Sequence, residues 1–244
     1  MTKKSKIVQD GYNKIASQYS NQRHLYPNKS LLLRFMKHVP ENSKILDLGC
    51  GSGIAISKFL SNNGFNVTGI DFSDAMLKLA RKNVPGAKFI RMDMTKMEFK
   101  ENSFDGAVSF YAIIHVPRQK HSGIYKRLHR ILRHNAVMLV NAGGHKQWEQ
   151  IADDYMGVPM FWSFYSPKKT LDIIKSAGFS ILWSKNLKLG GETQFWVLAR
   201  NNKTKKRNWN IIVNGEKSLT KNDAKIVKKA IAGFRKGFNF REFT

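Results

Sequence analysis

The sequence predicts an α/β fold in which helices cover both faces of a mostly parallel β-sheet. Two observations support this prediction. Short apolar runs begin near residues 45, 65, 87 and 104, and each ends in an acid or a small-residue turn. Segments with helical periodicity separate these runs. Strands that alternate with helices in this way are typical of a doubly wound, three-layer sandwich.

Three alternate glycines, Gly49, Gly51 and Gly53, follow the first predicted strand. Glycine lets the backbone approach a ligand closely, because no side chain intervenes, so this turn predicts a nucleotide-type cofactor site. The third glycine of a dinucleotide fingerprint would fall on Ile54, and no lysine follows Gly53 as a phosphate loop requires. Asp47, at the end of the strand, supplies an acid in place of that lysine. An acid suits a cationic cofactor.

The second predicted strand ends in Asp71, 22 positions after Gly49. An acid at about this distance is placed to accept hydrogen bonds from ribose hydroxyls, and a bare carboxylate would repel a 2′-phosphate. Asp71 therefore favours an unphosphorylated ribose. A helix N-cap is the alternative, although Ser73 or Asp74 already offers that role. Phe72 is a candidate to lie against an adenine ring, with a core position as its alternative.

The third run ends in Asp93, and the fourth leads into a small-residue turn. Together with Asp-x-Gly-x-Gly-x-Gly from Asp47, these features resemble class I S-adenosylmethionine-dependent methyltransferases over residues 10–200. The resemblance implies a Rossmann-like, seven-stranded sheet that is parallel except for its last strand, with S-adenosyl-L-methionine as cofactor. It also implies that Asp93 accepts from the adenine amine while the backbone amide of Met94 reads the ring.

The resemblance further implies that the cofactor lies along the carboxyl ends of the first strands. The segment 12–19 resembles the helix that closes over the cofactor in this family, with Tyr19 near the methionine end. Simple packing of an amphipathic helix is the alternative. The predicted cofactor-binding residues are Tyr19, Asp47, Gly49, Cys50, Gly51, Gly53, Asp71, Phe72, Met76, Asp93, Met94 and Phe110.

Methyl transfer from a sulfonium is an in-line displacement, so an enzyme must mainly hold the reacting atoms aligned and dry. His115, just past the fourth strand, is the candidate catalytic base, with a positioning role as its alternative. Tyr12 and Tyr111 are candidate substrate residues, and Tyr111 would hydrogen-bond to the acceptor.

An aromatic segment at 153–167 is interrupted by glycine and proline and predicts a wall that faces the substrate. Trp162 and Tyr165 are its candidate substrate contacts. The alternative is that some of these aromatic residues only cover the core. A mostly apolar wall favours a planar or apolar acceptor.

The end of the predicted sheet consists of a helix at 167–177 and two strands at 179–183 and 193–199. Proline near its start and Gly178 at its end bound the helix. No crossover helix lies between the two strands, so they are predicted to be antiparallel neighbours. A loop with Gly190 and Gly191 joins them.

The formal net charge of +25 predicts a polyanionic partner. We divide the chain into a cofactor-binding domain, 1–200, and a basic extension, 201–244, which has 12 Lys and Arg against 3 Asp and Glu. Cations and aromatic residues interleave at 233–241, a pattern able to hold phosphates and stack on unpaired bases. RNA or another polyanion is therefore a predicted partner of the extension. A merely solubilising surface is the alternative.

Composition excludes several other classes. The single cysteine, Cys50, rules out an internal disulfide, and no histidine spacing predicts a metal site. No apolar run is long enough to span a bilayer, so we expect a soluble, cytoplasmic protein. The leading prediction is a methyltransferase for a small-molecule acceptor. An RNA methyltransferase is the alternative, and a non-catalytic cofactor-binding module is a third.

Overall fold

The computed structural model describes residues 2–22, 29–189 and 191–203. Most of the predicted basic extension and Gly190 of the predicted loop lie outside the described residues. The helices are α1 (Lys3–Gln22), α2 (Lys29–Met36), α3 (Ser57–Asn62), α4 (Asp74–Asn83), α5 (His121–Ile131) and α6 (Pro167–Ser176). The strands are β1 (Lys44–Leu48), β2 (Asn66–Asp71), β3 (Lys88–Arg91), β4 (Phe104–Ser109), β5 (Leu132–Gly143), β6 (Trp148–Tyr155), β7 (Val158–Phe164), β8 (Phe179–Leu189) and β9 (Glu192–Asn201).

Seven of these strands form one sheet in the order β3-β2-β1-β4-β5-β9-β8. The strands from β1 to β5 pair in parallel, whereas β9 is antiparallel to both β5 and β8. The last strand of the described residues, β9, is thus the one strand of this sheet that runs against the others. The predicted fold class is confirmed. In addition, β8 and β9 are longer than the two strands predicted there.

The helices cover the two faces of the sheet. Leu32 and Phe35 of α2 and Leu60 of α3 pack on one face, together with Val67 and Leu139 of the sheet. On the other face, α5 and α6 supply the core residues Ile124, Leu128 and Ile174. Apolar side chains recur at helical spacing in these helices, so each helix buries one apolar stripe against the sheet. Within the described residues, no helix combines the length and apolar character needed to cross a membrane.

The predicted aromatic wall is a β-hairpin, a form that the sequence analysis did not predict. β6 and β7 pair with each other as a separate two-stranded antiparallel sheet. Helix α1 packs against β7, where Val8, Tyr12 and Ile15 meet Val158 and Met160 in one apolar cluster. The hairpin and α1 therefore enclose the carboxyl ends of the parallel strands.

Strand β5 is irregular at residues 133–136, because Leu132 pairs with Phe104 and Val137 with Gly106. One boundary differs from the predicted one. Asn201, predicted as the first residue of the basic extension, ends β9 and is fully buried. The sheet thus extends one residue past the predicted boundary, while the division into domains stays a prediction.

Candidate cofactor and acceptor site

The glycine turn follows β1 and lies beside the end of the neighbouring strand β2. Gly49, Gly51 and Gly53 have φ values of +69°, +55° and +75°, a left-handed conformation that favours glycine. At Gly49 a Cβ atom would lie 2.2 Å from the Cβ of Ala112, so even alanine cannot fit there without a shift. The backbone amides of Gly49 and Cys50 both donate to the Ile70 carbonyl. These contacts hold the turn beside the end of β2.

Asp71 ends β2 and is built into this turn. Its carboxylate accepts hydrogen bonds from the backbone amides of Gly51 (3.0 Å) and Ser73 (2.9 Å). Burial raises the pKa of Asp71 above its ordinary value, and these backbone hydrogen bonds oppose that shift. The cap of α4 is Ser73, whose hydroxyl accepts from the amide of Met76. Asp71 is therefore not the helix cap, and its carboxylate faces a cavity.

This inner cavity lies between the glycine turn, the ends of β2 and β4, and helix α1. Ser5, Val8, Tyr12 and Tyr19 of α1 cover it, and its volume is about 80 Å³. The predicted cofactor residues that line the cavity are Tyr19, Gly49, Cys50, Gly51, Gly53, Asp71, Phe72, Met76, Asp93, Met94 and Phe110.

Asp47 is the one predicted cofactor residue that does not line the inner cavity. It is 1% exposed, and its carboxylate accepts a 2.6 Å hydrogen bond from the hydroxyl of Ser57, the first residue of α3. Its place beneath the turn means that Asp47 ties the turn to α3. Asp93, in contrast, lines the cavity, and its carboxylate accepts from the amide and hydroxyl of Thr95.

The inner cavity lacks cations in a protein that is rich in them. Asp71 and Asp93 line it, while none of the described residues that line it is a lysine or an arginine. The chain as a whole has 42 Lys and Arg against 17 Asp and Glu. Phosphate groups are bound mainly through positive partners and oriented amides, whereas a cationic ligand requires acids. The cavity therefore fits a positively charged, unphosphorylated cofactor.

A larger outer cavity of about 660 Å³ adjoins the inner one. This volume lies within the usual range for small-molecule pockets, about 300–1,000 Å³. Four residues line both cavities: Tyr12, Tyr19, Tyr111 and His115. A group held in one cavity meets a group held in the other at these four side chains. Tyr111 has a φ of +57°, a strained conformation that is concentrated at functional sites.

His115 is fully enclosed at this junction. Its Nδ1 lies 2.7 Å from the carbonyl oxygen of Phe161 in β7, and its Nε2 lies 2.9 Å from the Tyr12 hydroxyl. Only a protonated Nδ1 can donate to a carbonyl, so in the neutral ring Nε2 accepts the hydroxyl proton of Tyr12. Burial lowers the pKa of His115 to about 4. The histidine is therefore neutral at pH 7, and its tautomer is fixed by the hairpin.

The hairpin supplies one of its two predicted substrate residues to the outer cavity. Trp162 lines this cavity, with its ring centroid 5.6 Å from that of His115. Tyr165 lines neither cavity and instead lies beside His121 and the Arg118 guanidinium. Tyr165 follows Phe164, the last residue of β7, and its role as a substrate contact stays a prediction.

Several lining residues of the outer cavity were not predicted. Trp148 and Tyr155 of β6, Phe164 of β7, and Gln194 of β9 all line it. Five aromatic residues between 148 and 164 were the available signal, but their spacing is irregular and the segment is interrupted by Gly157 and Pro159. Glu192 joins them as the acid of this cavity, and it accepts from the side-chain amide of Gln194 (2.7 Å).

The expectation that the protein has no metal site rests on the sequence alone. The described residues contain no group of three or more His, Cys, Asp or Glu side chains arranged to hold a metal ion. Cys50 is buried in the glycine turn, and burial raises the pKa of its thiol well above the ordinary value. The thiol is thus protonated and behaves as a small apolar side chain.

The sheet order, the glycine turn and the acids that follow β2 and β3 define an α/β protein that binds a nucleoside cofactor at the carboxyl edge of its sheet. Residues 45–135 match the family model described as a methyltransferase domain. This segment is a methyltransferase domain of the class I, S-adenosylmethionine-dependent type.

The chain matches curated relatives over part of their length. The chain is 26% identical over 166 residues to cycloartenol-C-24-methyltransferase 1 of Oryza sativa, covering 61% of this chain and 47% of that protein. It is 26% identical over 153 residues to phosphoethanolamine N-methyltransferase of Plasmodium falciparum, covering 60% and 57%. The chain thus spans about half the length of these relatives.

Among solved structures, a methyltransferase from Methanosarcina mazei described as S-adenosylmethionine-dependent superimposes with a TM-score of 0.62 at 22% identity. The superposition covers 69% of this chain and 96% of that one. At this identity the likeness establishes the fold but does not identify the methyl acceptor.

Proposed function

We propose that this protein is an S-adenosylmethionine-dependent methyltransferase for a small, planar or apolar acceptor that bears an N–H or O–H group. The observation that carries this proposal is the inner cavity, whose described lining residues include two acids and no lysine or arginine, in a chain of net charge +25. Asp71 is placed to accept from ribose hydroxyls, Asp93 and Met94 lie where the adenine would sit, and Tyr19 covers the methionine end. When bound, this cofactor supplies an electrophilic methyl group and loses one positive charge as the methyl leaves.

The type of acceptor follows from the hydrogen bond between Tyr12 and His115. Because the Tyr12 proton is directed to Nε2 of His115, the phenolic oxygen offers lone pairs, not a proton, to a group at the junction. An acceptor that can donate an N–H or O–H hydrogen bond complements this oxygen. A carboxylate acceptor does not.

The same two side chains provide a route for the acceptor proton. The acceptor transfers its proton to the Tyr12 oxygen, and Tyr12 passes its own proton to Nε2 of His115. A pKa of about 4 disfavours a charged imidazole. However, the reaction removes one positive charge from the closed site, so a proton on His115 leaves the total charge there unchanged. His115 thus acts as a base through Tyr12.

The outer cavity supports a small-molecule acceptor. Its walls include Trp148, Tyr155, Trp162 and Phe164, and aromatic side chains suit planar or apolar ligands. Both relatives described above bear the name of a small molecule on which they act. The alternative acceptor, RNA, rests on the net charge of +25 and on the basic extension at 201–244.

A labelling experiment tests the proposal. The full-length protein is incubated with S-adenosylmethionine labelled in the methyl group and, separately, with small-molecule extract or total RNA from cells that lack the gene. We expect label in a small molecule, with an equal amount of S-adenosylhomocysteine. Label in RNA would support the alternative acceptor. Cofactor binding without any label transfer would indicate a non-catalytic module, and no binding at all would contradict the family assignment.

A further inference from the structure

A second surface of the molecule has the opposite charge character to the inner cavity. It consists of Arg34, Lys37 and His38 at the end of α2, Trp183 and Lys185 of β8, and Arg200 of β9, and we name it the α2–β8 face. Neither α2 nor β8 contains an acidic residue. Among the described residues, none of the lysines and arginines of this face forms an ion pair.

Contacts show that these residues are neighbours in space. The Arg34 guanidinium lies over the Trp183 ring, 4.6 Å from its centroid. Trp183 packs on the cluster that contains Leu31 and Phe35 of α2. The pKa of His38 is lowered by burial and then by the positive charges of Arg200, Arg34 and Lys37, so all three cations lie close to it.

The strand register extends the face along the sheet. Trp183 and Leu187 both pack toward α2, so Lys185, between them in the alternation of β8, points to the same side. Arg200 pairs with Ser180, five residues before Lys185. At about 3.3 Å per residue, the cations therefore follow a line of roughly 16 Å. A line of charges suits the backbone of a polymer better than a single anion.

Two further features indicate a ligand rather than a merely solubilising surface. The Arg200 Nε atom is buried and has no hydrogen-bond partner among the described residues, a state that costs free energy unless a partner binds. Lysines on an edge strand can discourage unwanted strand pairing. That explanation covers Lys185 but not Arg34, which is on α2, or Lys37, which directly follows α2.

From this arrangement we propose that the α2–β8 face binds single-stranded nucleic acid. Its arginines and lysines would contact successive phosphates, and the Trp183 ring with its Arg34 partner would stack on an unpaired base. Arg200 and the end of α2 lie toward the amino ends of the parallel strands, away from the glycine turn, because Arg200 pairs with Val137 and Val137 pairs with Gly106 near the start of β4. The site is thus separate from both cavities, and it does not depend on the proposed function.

Two triple variants of the full-length protein with equal charge test this proposal. The first, Arg34→Ala/Lys37→Ala/Lys185→Ala, removes three cations from the face. The matched control, Lys78→Ala/Lys82→Ala/Lys88→Ala, removes three exposed cations from α4 and β3 at the far end of the sheet. Binding of a fluorescent 20-nucleotide oligouridylate and of the corresponding oligothymidylate is measured across salt concentrations. Heparin serves as a polyanion without bases.

We expect the first variant to bind oligouridylate at least tenfold more weakly than the control variant. Three lost phosphate contacts should also make the slope of log affinity against log salt shallower by about 2. Similar behaviour of oligothymidylate would mean that the face binds either nucleic acid, whereas a preference for oligouridylate would restrict the proposal to RNA. Equal losses of affinity in both triple variants would overturn the proposal.

A Trp183→Leu variant distinguishes base stacking from charge alone. Loss of one stacked base should weaken oligouridylate binding by roughly tenfold and leave heparin binding unchanged. The thermal midpoint of each variant checks that it is folded. Unchanged oligouridylate binding in folded Trp183→Leu would contradict the nucleic-acid assignment. So would a preference of the unmodified protein for vesicles of phosphatidylserine and phosphatidylcholine over both oligonucleotides.

Discussion

The inner cavity and the α2–β8 face carry charged side chains of opposite sign. Among the described residues, the cavity presents Asp71 and Asp93 and no lysine or arginine, whereas most cations of the face belong to α2, the residues just after it, and β8, and neither α2 nor β8 contains an acid. Both belong to one chain with a net charge of +25. Net charge therefore predicts the long-range field of the protein, and the local arrangement of side chains decides what each site can bind.

The largest expected effect comes from placing a positive charge, like those of the α2–β8 face, in the inner cavity. Asp71→Arg removes an acceptor of two backbone amides and puts a cation beside a cationic cofactor, so we expect roughly 1,000-fold weaker S-adenosylmethionine binding. Asp71→Ala should weaken binding about 10- to 150-fold. Calorimetry measures both.

Asp74→Arg is the matched control for this variant, since it makes the same charge change at an exposed position. We expect it to retain cofactor affinity within a few fold. Neither substitution should alter oligouridylate binding, because the two regions are separate. Unchanged cofactor affinity in a folded Asp71→Arg protein would show that the inner cavity is not the cofactor site.

The next effect concerns the junction of the two cavities. Tyr12→Phe removes the hydroxyl that links the acceptor to His115, so we expect turnover to fall about 100-fold. Cofactor affinity should change little, because Asp71 and Asp93 are untouched. Tyr165→Phe is the control, as Tyr165 lines neither cavity. Equal turnover of both variants, measured by production of S-adenosylhomocysteine, would remove the proposed proton route.

The sequence was sufficient for the inner cavity because its residues lie at the ends of consecutive parallel strands. Gly49, Asp71 and Asp93 are about 20 residues apart, and parallel strands bring their carboxyl ends to one edge whatever the loops do. Asp47 lies in the same motif but points below the turn to Ser57. That direction depends on the backbone of the turn, which residue types alone do not specify.

The outer cavity and the α2–β8 face depend on longer-range pairing. Trp162 and Tyr165 look alike in the sequence, but Trp162 lies within β7 and lines the outer cavity, whereas Tyr165 follows the end of the strand. Arg34 and Trp183 are distant in the chain and meet because α2 packs over the last strands of the sheet. Contacts of this kind follow from the strand order, which local patterns do not contain.

A smaller expected effect is a dependence of the free energy of unfolding on pH, which comes from the buried histidines. His115 and His121 are buried with pKa values of about 4, so the unfolded chain binds protons between about pH 6.5 and 4 that the folded chain does not. The free energy of unfolding should thus be fully present above pH 6.5 and fall by up to about 3 kcal/mol per histidine as the pH approaches 4. Asp71, whose pKa is raised, opposes this slope.

Variants of one buried and one exposed histidine check the origin of this slope. His121→Gln should flatten the pH dependence of unfolding by urea, because one buried neutral histidine is lost. His38→Gln, on the α2–β8 face, should flatten it much less, since His38 is exposed. A profile unaffected by His121→Gln would mean that the buried histidines do not set the acid stability of the protein.

The smallest effect separates the described domain from the residues that follow it. The side-chain amide of Asn201 donates to the carbonyls of His129, Leu132 and Arg133 at 3.0–3.2 Å, so it joins the end of α5 to β9. A chain that ends at Lys203 should keep these bonds, fold, and bind S-adenosylmethionine as the full chain does. A chain that ends at Arg200 leaves buried carbonyls without their donor at a cost of about 1–3 kcal/mol, so its melting temperature should be several degrees lower. Equal melting temperatures would place the end of the stable domain before Asn201. If the chain that ends at Lys203 also retains the affinity of the full chain for oligouridylate, the α2–β8 face binds nucleic acid without the basic extension.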